Sequence, residues 1–177
     1  MSKEMEVKGL YKIVDMVHFR ETKGVRFDIV PKHILNETVG VDRVIHESHA
    51  ISPGRVGEIE RPWYMHPWQS DNLVVLYGER HIDLYNVNHG KIESFVVTPT
   101  KIYKNGKLIC DYPAILTWPS FVFHRVVSKE KGSASINFAF RDEDCNMQRN
   151  FDIYDLDIKT GKYKVIREGH QDQFIVK

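Results

Sequence analysis

Apolar and polar positions alternate in short runs along most of the chain, and turn residues break the runs at close intervals. Leu73 to Tyr77 is an apolar run that Gly78 closes. In the next run Ile82, Leu84 and Asn86 fall on one face of an extended segment, with His81, Asp83 and Tyr85 on the other, because successive side chains of a strand point to opposite faces. Asn88-His89-Gly90 then turns the chain into Ile92 to Val97, which reads as a hairpin partner. Asn105-Gly106, between KIYK and KLIC, is a second hairpin signal, and Thr160-Gly161, between DLDIK and KYKVI, a third. Phe121 to Val127 and Ser133 to Phe140 read as two further short strands. Many short strands with frequent turns predict an all-β fold, a sandwich or barrel of antiparallel sheets.

The first third of the chain is less regular. Leu10 to Phe19 is apolar at mixed spacing and fits either a helix or an edge strand. Pro31 to Leu35 fits the start of a short helix, since proline is tolerated in a first turn. Val41 to Glu47 and Gly54 to Glu60 read as extended around the turn-forming Ser52-Pro53-Gly54. No linker, repeat or compositional break divides the chain. One domain is therefore expected over residues 1–177, with an N-terminal extension to residue 40, a core barrel over 41–140 and a C-terminal extension over 141–177.

Composition narrows the function classes. The chain has 177 residues, 42% of them hydrophobic and 28% charged, the balance of a globular domain that buries its core without staples. Lysine and arginine number 25 against 24 acids, for a net charge of +1, which argues against a nucleic-acid partner. The longest apolar runs are too short to cross a bilayer, and MSKEMEVKGL carries charges where a signal peptide needs its apolar core. Cys110 and Cys145 build no disulfide framework and have no CxxC spacing. The expected setting is the cytoplasm, without a membrane partner, where the Asn36-Glu37-Thr38 sequon is a chance match.

Candidate chemistry sits in two stretches. Of nine histidines, His18, His33, His89 and His170 stand alone and read as solvated surface residues. His46 and His49, in HESH, lack the spacing of zinc proteases, and a strand would place them on opposite faces. The segment GEIERPWYMHPWQSDNLVVLYGE is different: His66, Asp71 and Gly78 occur in order before an apolar strand. Further on, WPSFVFHRV puts Pro119 five positions before His124. In these residues the chain resembles the cupin superfamily, small double-stranded β-helix (jelly-roll) barrels with two short motifs on neighbouring strands. Asp71 falls on the glutamate of the first motif, with the correct interval to Gly78; His66 falls on its second histidine and Tyr64 on its first. In the second motif Pro119 and His124 keep the spacing, while Phe121 stands for the glycine and Ser128 for the asparagine. The resemblance covers Val41 to Phe140.

The resemblance implies a divalent metal (iron, manganese, nickel or zinc) held by His66, Asp71 and His124, a set that matches the two-histidine, one-carboxylate triad of non-heme iron sites. Against it stand two plainer readings: His66 and His124 as satisfied core histidines, and Asp71 as a turn residue. Tyr64 is then a fourth ligand, a hydrogen-bond donor or a pocket wall, and Tyr64 and His66 are the catalytic candidates. Strand parity puts Val122 and Val126 on the face of His124, and Ser133, Ser135, Asn137 and Ala139 on a small polar face. Asn137 and Ser135 are accordingly the candidates for substrate binding, and Arg125 has the wrong parity. Trp63, Trp68 and Trp118 either rim the pocket or pack, and Arg43, Arg55, Arg61 and Arg80 offer anion contacts. The leading expectation is a metal-dependent dioxygenase, isomerase or decarboxylase acting on a small polar molecule. The alternatives are a metal-free sugar-nucleotide epimerase or isomerase with His66 as base, and a non-catalytic ligand-binding or sensor module. A homodimer joined through N-terminal strands is expected from the same resemblance.

Overall fold

A computed structural model describes residues 5–7, 11–13, 17–29, 39–111 and 114–174. The strands are β1 (Met5–Val7), β2 (Tyr11–Ile13), β3 (Val17–Thr22), β4 (Val25–Ile29), β5 (Val39–His46), β6 (Ile51–Ser52), β7 (Trp63–Met65), β8 (Gln69–Tyr85), β9 (Glu93–Val97), β10 (Ile102–Lys104), β11 (Lys107–Cys110), β12 (Leu116–Trp118), β13 (Phe123–Arg141), β14 (Ile153–Leu156) and β15 (Tyr163–Arg167). A 3-10 turn over Gly169–Asp172 follows, so the fold is nearly all β. The Leu10–Phe19 stretch contributes strands β2 and β3, and Pro31–Leu35 lies outside the described residues. Gly54 to Glu60, expected to be extended, is a loop of turns with one isolated bridge between Val56 and Ile59.

One sheet runs in the order β11-β10-β9-β8-β13-β5-β4-β3, and every pairing is antiparallel. Its spine is the pair β8–β13, two strands of 17 and 19 residues. Here the structure departs from the sequence pattern. Gly78 does not end a strand, and residues 123–127 and 133–140 belong to one continuous strand, while Phe121, expected to open it, sits in a turn at φ 62°. Both long strands bend instead, at Gly78 (φ 68°) and Gly132 (φ 66°), and each bend passes the strand from one wall of the barrel to the next. The bends need glycine for two reasons. Positive φ disfavours any Cβ, and a Cβ at Gly78 would lie 2.1 Å from the Gly132 carbonyl oxygen, one at Gly132 2.4 Å from that of His46.

Alternation along the spine separates two cores. Leu73, Val75 and Ile82 of β8 point inward with Val97, Ile102, Trp118 and Val126, all buried. Tyr85 and Phe123 point the other way and pack with Trp63, Met65, Tyr154 and Leu156, where the hairpin β14–β15 covers the outer face through the pairing of β14 with β7. Each such side chain contributes about 1.5–3 kcal/mol by leaving water. A third cluster, Val25, Val44 and Ala50 with Phe27, joins the N-terminal strands to β5. The barrel is thus closed by segments from both ends of the described chain.

Candidate metal centre

Two ladder pairings assemble the site. His66 follows β7, and Tyr64 of β7 pairs with His124 of β13; Asp71 of β8 pairs with Trp118 of β12. His66, Asp71 and His124, at 5%, 3% and 6% exposure, each offer a ligand atom within 4.8 Å of the others. Asp71 Oδ2 lies 3.7 Å from His66 Nε2.

The surroundings fix which lone pairs face inward. His66 Nδ1 donates to the carbonyl of Asn150, and His124 Nδ1 to that of Val122 at 3.2 Å. A carbonyl only accepts, so both hydrogens sit on Nδ1 and both Nε2 atoms carry free lone pairs. Burial pulls both imidazoles down to a pKa of about 4; Arg141 and Arg20 add to the effect at His66, and His66 itself adds to it at His124. Both rings are neutral at pH 7. Asp71 Oδ1 accepts from Gln69 Nε2 and Asn137 Nδ2, each at 2.6 Å, whereas Oδ2 is buried with no partner. Burial raises the Asp71 pKa, against the opposing pull of His124 and these hydrogen bonds. An unpaired buried carboxylate oxygen costs several kcal/mol, and a cation between it and two bare imidazole nitrogens would remove that cost. The donor set fits a divalent ion.

An outer network holds this set in place. Gln69, 1% exposed, accepts at Oε1 from Arg141 Nε (2.7 Å) and Asn150 Nδ2 (3.0 Å) while donating to Asp71. Arg141 in turn donates to both oxygens of buried Asp42, at 3.0 and 2.8 Å. Gln69 and Asn150 therefore tie the orientation of Asp71 to that of His66.

The triad stands in a cavity, partly open to solvent, whose walls include Tyr64, Trp118, Asn137 and Phe151. The Tyr64 hydroxyl accepts from Arg20, and its ring lies 5.9 Å from that of His124. Asn137 has both ends of its amide engaged, by Asp71 and by the Asn72 N–H. Ser135 is buried on the same strand with its hydroxyl unpartnered, and it does not line the cavity. Trp118 reaches the site, 5.3 Å from the His124 ring, whereas Trp63 packs in the outer core beneath Arg125. Arg125 pairs with Asp83 at 2.9 Å, and Arg55 with Glu58 and Glu60.

Several wall residues carry no local sequence signal. Arg20 and Phe151 come from segments far from both motifs, as does Asn150, whose carbonyl accepts from His66. His46 of the HESH segment lines the cavity alone, while His49 is exposed at φ 56°. Gln69 was legible only by parity, two positions before Asp71 on the same strand face.

No family model matches the chain, and no curated protein matches it. Solved structures do. A tryptophan-to-tyrosine variant of Bacillus subtilis oxalate decarboxylase superposes with a TM-score of 0.54 at 17% identity, over 76% of this chain and 30% of that one. CapF in complex with the inhibitor 3-isopropenyl-tropolone gives 0.52 at 14%, over 76% and 33%. CapF from Staphylococcus aureus, a capsular polysaccharide assembling protein, gives 0.51 at 12%, over 90% and 33%. Both are cupin-fold proteins. The fold is that of the cupins. The chain spans about a third of the length of those structures, and the likeness extends to the barrel, not to their activities. Among its described residues no helix is long and apolar enough to cross a membrane.

Proposed function

We propose that this cupin binds one divalent metal ion through His66 Nε2, His124 Nε2 and the Asp71 carboxylate, and uses it on a small molecule held in the cavity. The observation that carries this reading is the convergence of three unshared lone pairs, two of them on imidazoles whose other nitrogen is tied to a backbone carbonyl. A bound ion would act as a Lewis acid, polarising a substrate oxygen. Asn137 and Gln69 hold the carboxylate for it. Tyr64, whose oxygen already accepts from Arg20, keeps its own O–H to give or take a proton at a substrate atom, and His66 is the second catalytic candidate. The reaction class is that of a metal-dependent decarboxylase, isomerase or dioxygenase.

Elemental analysis of untagged protein tests the proposal, alongside His66→Ala and His124→Ala variants whose folding is checked by circular dichroism. One equivalent of metal, lost in both folded variants, is the expected result. Absence of metal after incubation with iron, manganese, nickel and zinc would overturn it and favour a metal-free reading with His66 as base.

A further inference from the structure

The wall of the same cavity carries a second feature that the metal reading does not use. Arg80 of β8 is 4% exposed and lines the cavity. Among the described residues its one hydrogen bond runs from a terminal nitrogen to the Val44 carbonyl at 3.2 Å, and its buried Nε has no partner. Among the described residues no carboxylate lies within ion-pair distance of it. The other buried arginine among the described residues, Arg20, faces Asp172 at 3.6 Å, and half-buried Arg141 has Asp42. Burial alone, with no acid to offset it, lowers the Arg80 pKa to about 9, so the guanidinium still carries its charge at pH 7.

A desolvated, uncompensated guanidinium is expensive, and proteins keep such groups where a ligand supplies the missing charge. Its neighbours suit an anion. Ser128, opposite Arg80 in the ladder, bonds His46 Nδ1 at 3.1 Å. His46 is held neutral by burial and by Arg80 itself, its pKa lowered to about 2, so its ring offers one N–H donor without adding charge. Val25, Phe27, Val44 and Val126 make the adjoining wall apolar.

We infer that Arg80 is the anion-binding pole of the cavity and that the natural ligand is a small monocarboxylate with an apolar body. One uncompensated positive charge calls for one negative charge, and the planar guanidinium fork matches a carboxylate. Ser128 and His124 lie four residues apart on β13, about 13 Å along the strand. Arg80 is therefore offset along the barrel from the backbone of His124. The inference rests on the cavity as a small-molecule site and not on metal occupancy.

The test uses chelator-treated full-length protein and isothermal titration with butanoate, benzoate, their neutral amides and inorganic phosphate. Saturable carboxylate binding is expected, at least tenfold weaker for the amides and at least tenfold weaker in Arg80→Gln. Arg80→Lys should recover part of it. Because Arg80→Gln removes an unpaired buried charge, its thermal midpoint should equal or exceed that of the parent protein, which separates lost binding from lost folding. Equal binding of acid and amide, or unaltered binding in Arg80→Gln, would overturn the inference. Loss of binding in His66→Ala with retention in Arg80→Gln would move the anion to the triad and also overturn it. Phosphate binding more tightly than both carboxylates would overturn the choice of ligand class. Failure of metal binding in the separate elemental analysis leaves each of these readouts intact.

Discussion

Replacing Gln69 by leucine probes whether the outer network builds the site or merely fills space. Leucine keeps most of the volume but removes one donor and one acceptor. The change breaks the bonds to Asp71 (2.6 Å), Arg141 (2.7 Å) and Asn150 (3.0 Å). Two of the three have a charged partner, and such bonds contribute about 1.5–3 kcal/mol each, against about 1 kcal/mol for the neutral one. Arg141 keeps Asp42, Asp71 keeps Asn137, and the leucine gains about 1 kcal/mol or more from its own burial. The net destabilisation should be on the order of 3–4 kcal/mol, read as a lower urea midpoint at unchanged slope in tryptophan fluorescence of metal-free protein. With Asp71 and Asn150 released, metal affinity should fall about 10–100-fold, measured by competition with a chromophoric chelator. A midpoint shift equivalent to less than about 0.5 kcal/mol, together with unchanged affinity, would refute the reasoning.

Three further outcomes follow from the same geometry. Burial raises the Asp42 pKa from 3.8 to about 6 despite Arg141, so between those values the folded state holds a proton that the unfolded state has lost. Stability of the metal-free protein should therefore fall by on the order of 3 kcal/mol as pH rises from about 4 to about 6, and urea midpoints of Asp42→Asn across that range should lack this slope; parallel curves would contradict the assignment. Gly132→Ala should cost more than about 2 kcal/mol, because it adds a clash with the His46 carbonyl to the positive φ. Gly57→Ala, at φ 55° with nothing within 4 Å of the new methyl group, should cost only about 1–2 kcal/mol, and equal losses in calorimetry would remove the close approach from the account. The expected homodimer predicts a dimeric mass in light scattering at micromolar concentration, and a monomeric mass would dismiss it.

Turn chemistry made much of the fold legible. Asn105 and Gly106 both adopt positive φ, 49° and 79°, as an Asn-Gly hairpin requires, and β10 and β11 flank them as the sequence implied. The spine was harder to see. Gly78 and Gly132 punctuate the pattern as strand ends do, and only the neighbouring backbone reveals them as bends. The triad could be read because its members sit in two local motifs with fixed intervals. Arg20 and Asn150 could not, because their contacts to Tyr64 and His66 span 44 and 84 residues, beyond the reach of any periodicity. Parity placed Asn137 on the inner face, but it could not tell that its amide is spent on Asp71 and Asn72.

That long reach has a consequence for how the protein is made. The carbonyl that sets the His66 tautomer belongs to Asn150, 84 residues downstream, and the strand that brings His124 beside Tyr64 begins only at Phe123. On a ribosome adding residues from the N-terminus, His66 emerges long before the carbonyl that orients it, and Asp71 long before Asn137. Until Asn150 has left the exit tunnel, the imidazole is free to present either nitrogen, and the binding geometry does not exist. On the proposed metal reading, loading of the site would therefore be an event of the finished barrel.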